Sequence, residues 1–236
     1  MHDFLGNTNL FFELLAGIGM IGINDGRRIY KVHFLVHIME AHQVLVVIIG
    51  SAVSMLVLSS AKNYVSQWIA CGLHFIPAGF TKMYAKRLND GCEVEVKEAE
   101  NGDGVRPGLV LLAPGGDCHM ELVRQDGGYR VLLKNKPKVN GHCPSVEVLF
   151  ESVAKHAGAN AIGIILTGMG GDGAKGLLSM KNAGASTIGQ DESTCVVYGM
   201  PRVAYECGAV EYQMKLEDIP EKTYQILNMR ERGGGR

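Results

Sequence analysis

The stretch Ala161 to Gly176, AIGIILTGMGGDGAKG, constrains the fold more than any other part of this 236-residue chain. Ala161 to Leu166 is short, apolar and bounded by glycine, which predicts a buried strand. Leu177, Leu178 and Met180 then recur at helical spacing, which predicts a helix over Ala174 to Asn182. Between them lies a glycine-rich turn with a single acidic residue, Asp172. A strand, a tight turn and a helix in that order form half of an α/β unit. In open parallel sheets the carboxyl end of such a strand faces the crevice where ligands and reacting groups collect.

The rest of the chain extends the alternation. Strands are expected near Val44 to Ile49 and Ile69 to Phe75, with helices near Val53 to Val65 and over Phe80 to Leu88. Cys92 to Ala99 and Gly108 to Pro114 read as strands, and Met120 to Val123 with Tyr129 to Leu133 flank Asp126, Gly127 and Gly128 as a hairpin. A helix near Ser145 to His156 starts on Ser145 as N-cap and stops before Gly158. A strand near Ser186 to Ile188 and a helix near Pro220 to Met229 close the pattern. The expected fold class is α/β, a doubly wound and mainly parallel sheet with a β-hairpin insertion. The domain is expected over 43–229. Residues 1–42 are irregular and need not belong to it, and 230–236 read as a disordered tail.

Composition narrows the function. With 47% hydrophobic residues and a net charge of −1, the chain suits one α/β domain and gives no reason to expect nucleic acid or an anionic membrane as partner. Val44 to Leu58 is apolar but short of the roughly 20 residues needed to span a bilayer, so membrane insertion is not expected. The six cysteines are scattered without a C-x-x-C pair, so reduced thiols and a cytoplasmic location are the default. No Cys/His spacing suggests a metal, and no cofactor is expected.

Two readings of the glycine turn stand side by side at this level. Gly168, Gly170 and Gly173 satisfy the dinucleotide fingerprint G-x-G-x-x-G, with Asp191 following at about the 20-residue distance of a ribose-binding acid. The match falls late in the chain, and Asp172 would place a carboxylate where a pyrophosphate must approach. In the plainer reading, Asp172 is a helix cap.

Four blocks carry a resemblance. PAGFTKMYAKRLN (Pro77 to Asn89), LAPGGDCHMEL (Leu112 to Leu122), PSVEVLFESVAKHAG (Pro144 to Gly158) and the run from Ile165 to Ala204 closely resemble the catalytic domain of chemotaxis protein-glutamate methylesterases. The resemblance implies a cytoplasmic serine hydrolase on a doubly wound α/β sheet. Such an enzyme releases methanol from glutamate methyl esters on methyl-accepting chemoreceptors, and family members also deamidate receptor glutamines. It implies a Ser, His and Asp triad in which Asp172 is the family's aspartate, in T-G-M-G-x-D-G. A carboxylate there orients the imidazole, while backbone N–H groups near Met169 and Gly170 face a developing oxyanion. His119 matches a further histidine of the A-P-G-G-D-x-H block and is expected near the same crevice, either in contact with substrate or as a structural histidine.

Upstream of Pro77 the chain departs from the pattern. The family's nucleophile turn is I-G-A-S-T-G-G, but here the strand ends in SAVSM, which puts Ala52 at the serine position and leaves Ser51 and Ser54 as the nearest hydroxyls. The family's histidine lies in Q-H-M-P-x-G-F, whereas LHFIPAGF puts Phe75 in register and His74 one residue early, a slip that in a strand turns the side chain to the other face. The working assignment is Ser51, His74 and Asp172. Two alternatives stay open: an inactive homologue that serves as a receptor-binding module, or a damaged reading of the segment before Pro77. An internal receiver domain is not expected, because about forty residues before the first strand cannot form an α/β unit of roughly 120 residues.

Overall fold

A computed structural model describes residues 45–49, 67–70, 79–91 and 94–233. The chain divides into two units, Met1–Leu35 and Val36–Arg236, and every described residue lies in the second. Its strands are β1 (Leu45–Ile49), β2 (Gln67–Ala70), β3 (Glu95–Glu98), β4 (Gly104–Val105), β5 (Leu109–Leu112), β6 (Cys118–Gln125), β7 (Gly128–Asn135), β8 (Ala161–Ile165), β9 (Ser186–Gln190) and β10 (Tyr212–Met214). Five α-helices are described: α1 (Phe80–Gly91), α2 (Val146–His156), α3 (Ala174–Asn182), α4 (Met200–Glu206) and α5 (Ile219–Gly233).

Seven strands pair in the order β10-β9-β8-β1-β2-β5-β3, and every pairing among them is parallel. The main sheet is thus wholly parallel. The antiparallel strands form a separate sheet, β4-β7-β6. Its hairpin is longer than the sequence signals, running over eight residues on each side and closing at Gln125 and Gly128. Asp126 and Gly127 both take positive φ, +53° and +79°, the geometry of a two-residue turn whose twist matches the strands it joins.

Alternation along the central strands sorts side chains to two faces. Leu109 and Leu111 of β5 join Ala161 and Ile165 of β8 in a core with α2, α3 and the hairpin. Val110 and Leu112 join Ile162 and Ile164 in the other, with α1 and α5. That is the period-two reading of strands buried on both faces. α2 buries Val146, Leu149, Phe150 and Val153, one helical stripe. It packs closely on α3, where a Cβ on Gly176 would stand 2.7 Å from Phe150 Cβ and 3.1 Å from the Glu147 carbonyl oxygen. The last helix runs past Met229, where the sequence pattern ends it, to Gly233. Arg230 lies within it and donates to the Ala159 carbonyl at 2.6 Å and to Ser186 Oγ at 3.0 Å.

Candidate active site

The strand order reverses at β1: the sheet extends from it through β2, β5 and β3 on one side and through β8, β9 and β10 on the other. Ile49 and Ile165, the last residues of β1 and β8, are register partners. β2 ends alongside, with Ala70 opposite Ile48. The segments leaving β1, β2 and β8 therefore set out from three adjacent strand ends at a topological switch point, where open α/β sheets form their binding crevice. Those segments carry Ser51, His74 and Asp172 respectively. Ser51 and His74, with Ala52, Ser54 and Phe75, lie outside the described residues.

The turn after β8 is held from the side by the segment leading into α4. Thr167 donates its N–H to Gln190 Oε1 at 2.8 Å, and the Thr167 hydroxyl accepts from Val197 N at 2.8 Å. Gly168 N–H donates to the Val197 carbonyl at 3.1 Å, and Gly168's own carbonyl accepts from Met200 N at 2.8 Å. Gly199 presses against the turn so closely that a Cβ there would lie 2.6 Å from Gly168 O and 3.0 Å from Gly170 N. Gly170 has φ of +86°, a conformation open to glycine at little cost. The Met169 side chain is 68% exposed. Among the described residues, the N–H groups of Met169 and Gly170 make no backbone hydrogen bond.

Asp172 is 3% exposed. Its Oδ1 accepts from the Ser145 hydroxyl at 2.8 Å and from Asn140 Nδ2 at 2.9 Å, and its Oδ2 accepts from Val146 N at 2.7 Å. Asp172 does cap a helix, but not the one that follows it. It caps α2, 26 residues earlier in sequence, while Gly173 occupies the N-cap position of α3. Ser145 stands at the N-cap position of α2 as the sequence indicates, yet its hydroxyl makes no cap bond because Asp172 holds it. Glu147 returns the interaction, accepting from Gly173 N at 3.0 Å. Burial, and beyond it the charges of Asp172 and Glu151, push the Glu147 carboxyl above its ordinary range, with the Gly173 N–H pulling the other way.

His119 is fully buried, as the structural alternative for this histidine expects. Its Nδ1 accepts from Ser145 N at 3.1 Å, which puts the ring proton on Nε2, and Nε2 donates to the Pro137 carbonyl at 3.0 Å. With both nitrogens bonded to backbone, the imidazole braces the start of α2. Asp191, the acidic residue of the dinucleotide fingerprint, is engaged locally, accepting from Ser193 N at 2.9 Å. Among the described residues, no three His, Cys, Asp or Glu side chains are grouped to hold a metal, and no helix is long and apolar enough to cross a membrane. The sequence alone does not single out Asn140. The local signal is the Asn140–Gly141 pair, a frequent two-residue hairpin turn, but nothing local ties it to a carboxylate 32 residues away.

The comparison with known families agrees with this geometry. The model of the CheB methylesterase family matches residues 50–223. The chain belongs to the CheB methylesterase family. The match opens on Gly50, so Ser51 and His74 fall inside it. The chain is similar to a protein-glutamate methylesterase/protein-glutamine glutaminase of Syntrophomonas wolfei, 62% identical over 153 residues, covering 65% of this chain and 45% of that protein. A relative of the same name from Sulfurimonas denitrificans is 57% identical over 155 residues, covering 66% and 44%. The chain thus spans about half the length of the curated relatives it matches. The crystal structure of the Thermotoga maritima CheB methylesterase catalytic domain superposes with a TM-score of 0.73 at 36% identity, over 79% of this chain and 100% of that one. Within a CheB methylesterase fold, the buried Asp172 and the turn bearing Met169 and Gly170 occupy the carboxyl edge of the sheet beside β1.

Proposed function

We propose that this chain hydrolyses glutamate methyl esters on methyl-accepting chemoreceptors in the cytoplasm, releasing methanol, and deamidates receptor glutamines by the same chemistry. The observation that carries the reading is Asp172, a buried carboxylate fixed by three donors at the switch point of a parallel sheet. Such a group suits the third member of a triad, which orients an imidazole and stabilises its protonated form without itself taking up the proton.

In this reading Ser51 Oγ attacks the ester carbonyl as His74 takes its proton. The carbonyl oxygen becomes an oxyanion facing the N–H groups of Met169 and Gly170, whose rigid turn spares reorganisation in the transition state. As the C–O bond breaks, His74 returns the proton to the departing methoxide, giving methanol and an acyl-serine. Water, deprotonated by His74, then attacks the acyl carbonyl; the bond to Ser51 Oγ breaks, His74 returns the proton to that oxygen, and a free glutamate is left. With glutamine, ammonia departs in place of methanol. No step calls for a metal or an organic cofactor.

The nucleophile is tested by comparing methanol release from methyl-labelled receptor membranes by the parent chain, Ser51→Ala and Ser54→Ala. Loss confined to Ser51→Ala is the expected outcome. Full release from both variants would remove the serine-hydrolase mechanism as written.

A further inference from the structure

Asn140 donates its side-chain amide to Asp172 from a tight turn. It is exposed, whereas Ser145 and Asp172 are buried. It occupies the first position of a two-residue turn, with φ of +53° and Gly141 following at +82°. The turn is closed by Val139 N to His142 O at 3.0 Å and His142 N to Val139 O at 2.9 Å. Asparagine tolerates this left-handed backbone better than most residues. The turn therefore sets the amide's direction, and Nδ2 donates to Asp172 Oδ1. Reversing the amide would place an oxygen against a carboxylate.

An ionised carboxylate offers about four acceptor sites, two on each oxygen. Ser145 and Asn140 both donate to Oδ1, and Val146 N–H donates to Oδ2. Three donors spread over both oxygens fix the plane in which the carboxylate accepts. We propose that Asn140, acting with Ser145, is a positioning residue of the triad: it locks the rotation of the Asp172 carboxylate and so the direction in which that carboxylate orients the catalytic imidazole. The assignment rests on the methylesterase reading above.

Asn140→Gly is the clean test, because glycine accepts the turn's backbone conformation and only the amide is removed. Methanol release from methyl-labelled receptor membranes is followed for the parent chain, Asn140→Gly, Asp172→Asn and the double variant. The expected result is a fall in kcat of about 10- to 100-fold for Asn140→Gly with KM unchanged, the scale of loss that misorientation near a reacting group causes. The amide acts only through Asp172, so adding Asn140→Gly to Asp172→Asn brings no further loss. An active parent with an Asn140→Gly variant within twofold of it would overturn the positioning role. Equal losses in the presence and absence of Asp172 would also overturn it, since a merely structural residue behaves that way. A parent chain that releases no methanol would instead remove the methylesterase reading, and the positioning role with it.

Discussion

Asp172 and Glu147 each cap the helix that the other's segment begins. Asp172 Oδ2 accepts the Val146 N–H at the start of α2, and Glu147 Oε2 accepts the Gly173 N–H at the start of α3. Two helix N-termini meet here, and each supplies partial positive charge that favours a carboxylate. The exchange ties the proposed orienting acid to the packing of α2 on α3, so stability and activity are coupled at this point of the fold.

Asp172→Ala should therefore destabilise as well as inactivate. It strips the acceptor from Val146 N, the Ser145 hydroxyl and the Asn140 amide. The expected cost is about 2–3 kcal/mol, from a lost cap and buried donors left unpaired. Urea denaturation of parent and variant measures it, and an unchanged midpoint would contradict the capping role.

Glu147 gives a pH dependence of definite sign. Burial, followed by the charges of Asp172 and Glu151, raises its carboxyl above the ordinary value of 4.5. The folded chain then holds this proton more tightly than the unfolded chain. The group's contribution is most favourable below the unfolded value and is lost as pH rises through the folded one. Glu147→Gln keeps an acceptor for Gly173 N and cannot ionise, so the variant should gain stability relative to the parent between pH 4 and pH 7. Denaturation curves at both pH values check this, and a constant difference would contradict it.

His119→Leu should separate bracing from binding. The substitution retains bulk but leaves Ser145 N–H and the Pro137 carbonyl unpaired, at an expected cost of about 3 kcal/mol. KM for receptor should stay at the parent value in the folded fraction, because the ring is fully buried. A raised KM with unchanged stability would return His119 to the substrate surface.

Gly199→Ala probes the turn that presents Met169 and Gly170. Its φ of −104° suits alanine, so backbone strain is not at issue, but the new Cβ would sit 2.6 Å from Gly168 O. Displacement of the turn is expected to lower kcat by at least about 10-fold, with a stability loss of about 1–3 kcal/mol. Steady-state kinetics and thermal melting together check it, and parent-like kcat would show that this turn carries no oxyanion donors.

The fold was largely legible because its signals are local. The Ala161 strand, the α2 stripe and the hairpin all follow from apolar period and turn residues, and the helix after the glycine turn spans Ala174–Asn182 as its spacing indicates. What stayed hidden depends on contacts distant in sequence. Ser145 reads as an ordinary N-cap, yet its hydroxyl goes to a carboxylate 27 residues away. His119 reads as either a crevice or a structural histidine because a sequence does not reveal that Ser145 N and Pro137 O meet its two nitrogens. Asn140 carries a turn signal, but its use is set by where α2 docks on α3. The hairpin's extra length likewise reflects pairing through Cys118 and Asn135, whose residues show no alternation on their own.

The most direct test of the account is methanol release from methyl-labelled chemoreceptor membranes by the parent chain and by Asp172→Asn, with circular dichroism confirming that both are folded. Asparagine keeps the size of the side chain while removing the negative charge and turning an acceptor into a donor. The account requires release by the parent and a fall of about 10³- to 10⁴-fold in the variant, the scale expected when a triad loses its orienting carboxylate. Release by a folded Asp172→Asn chain within a few-fold of the parent would contradict it.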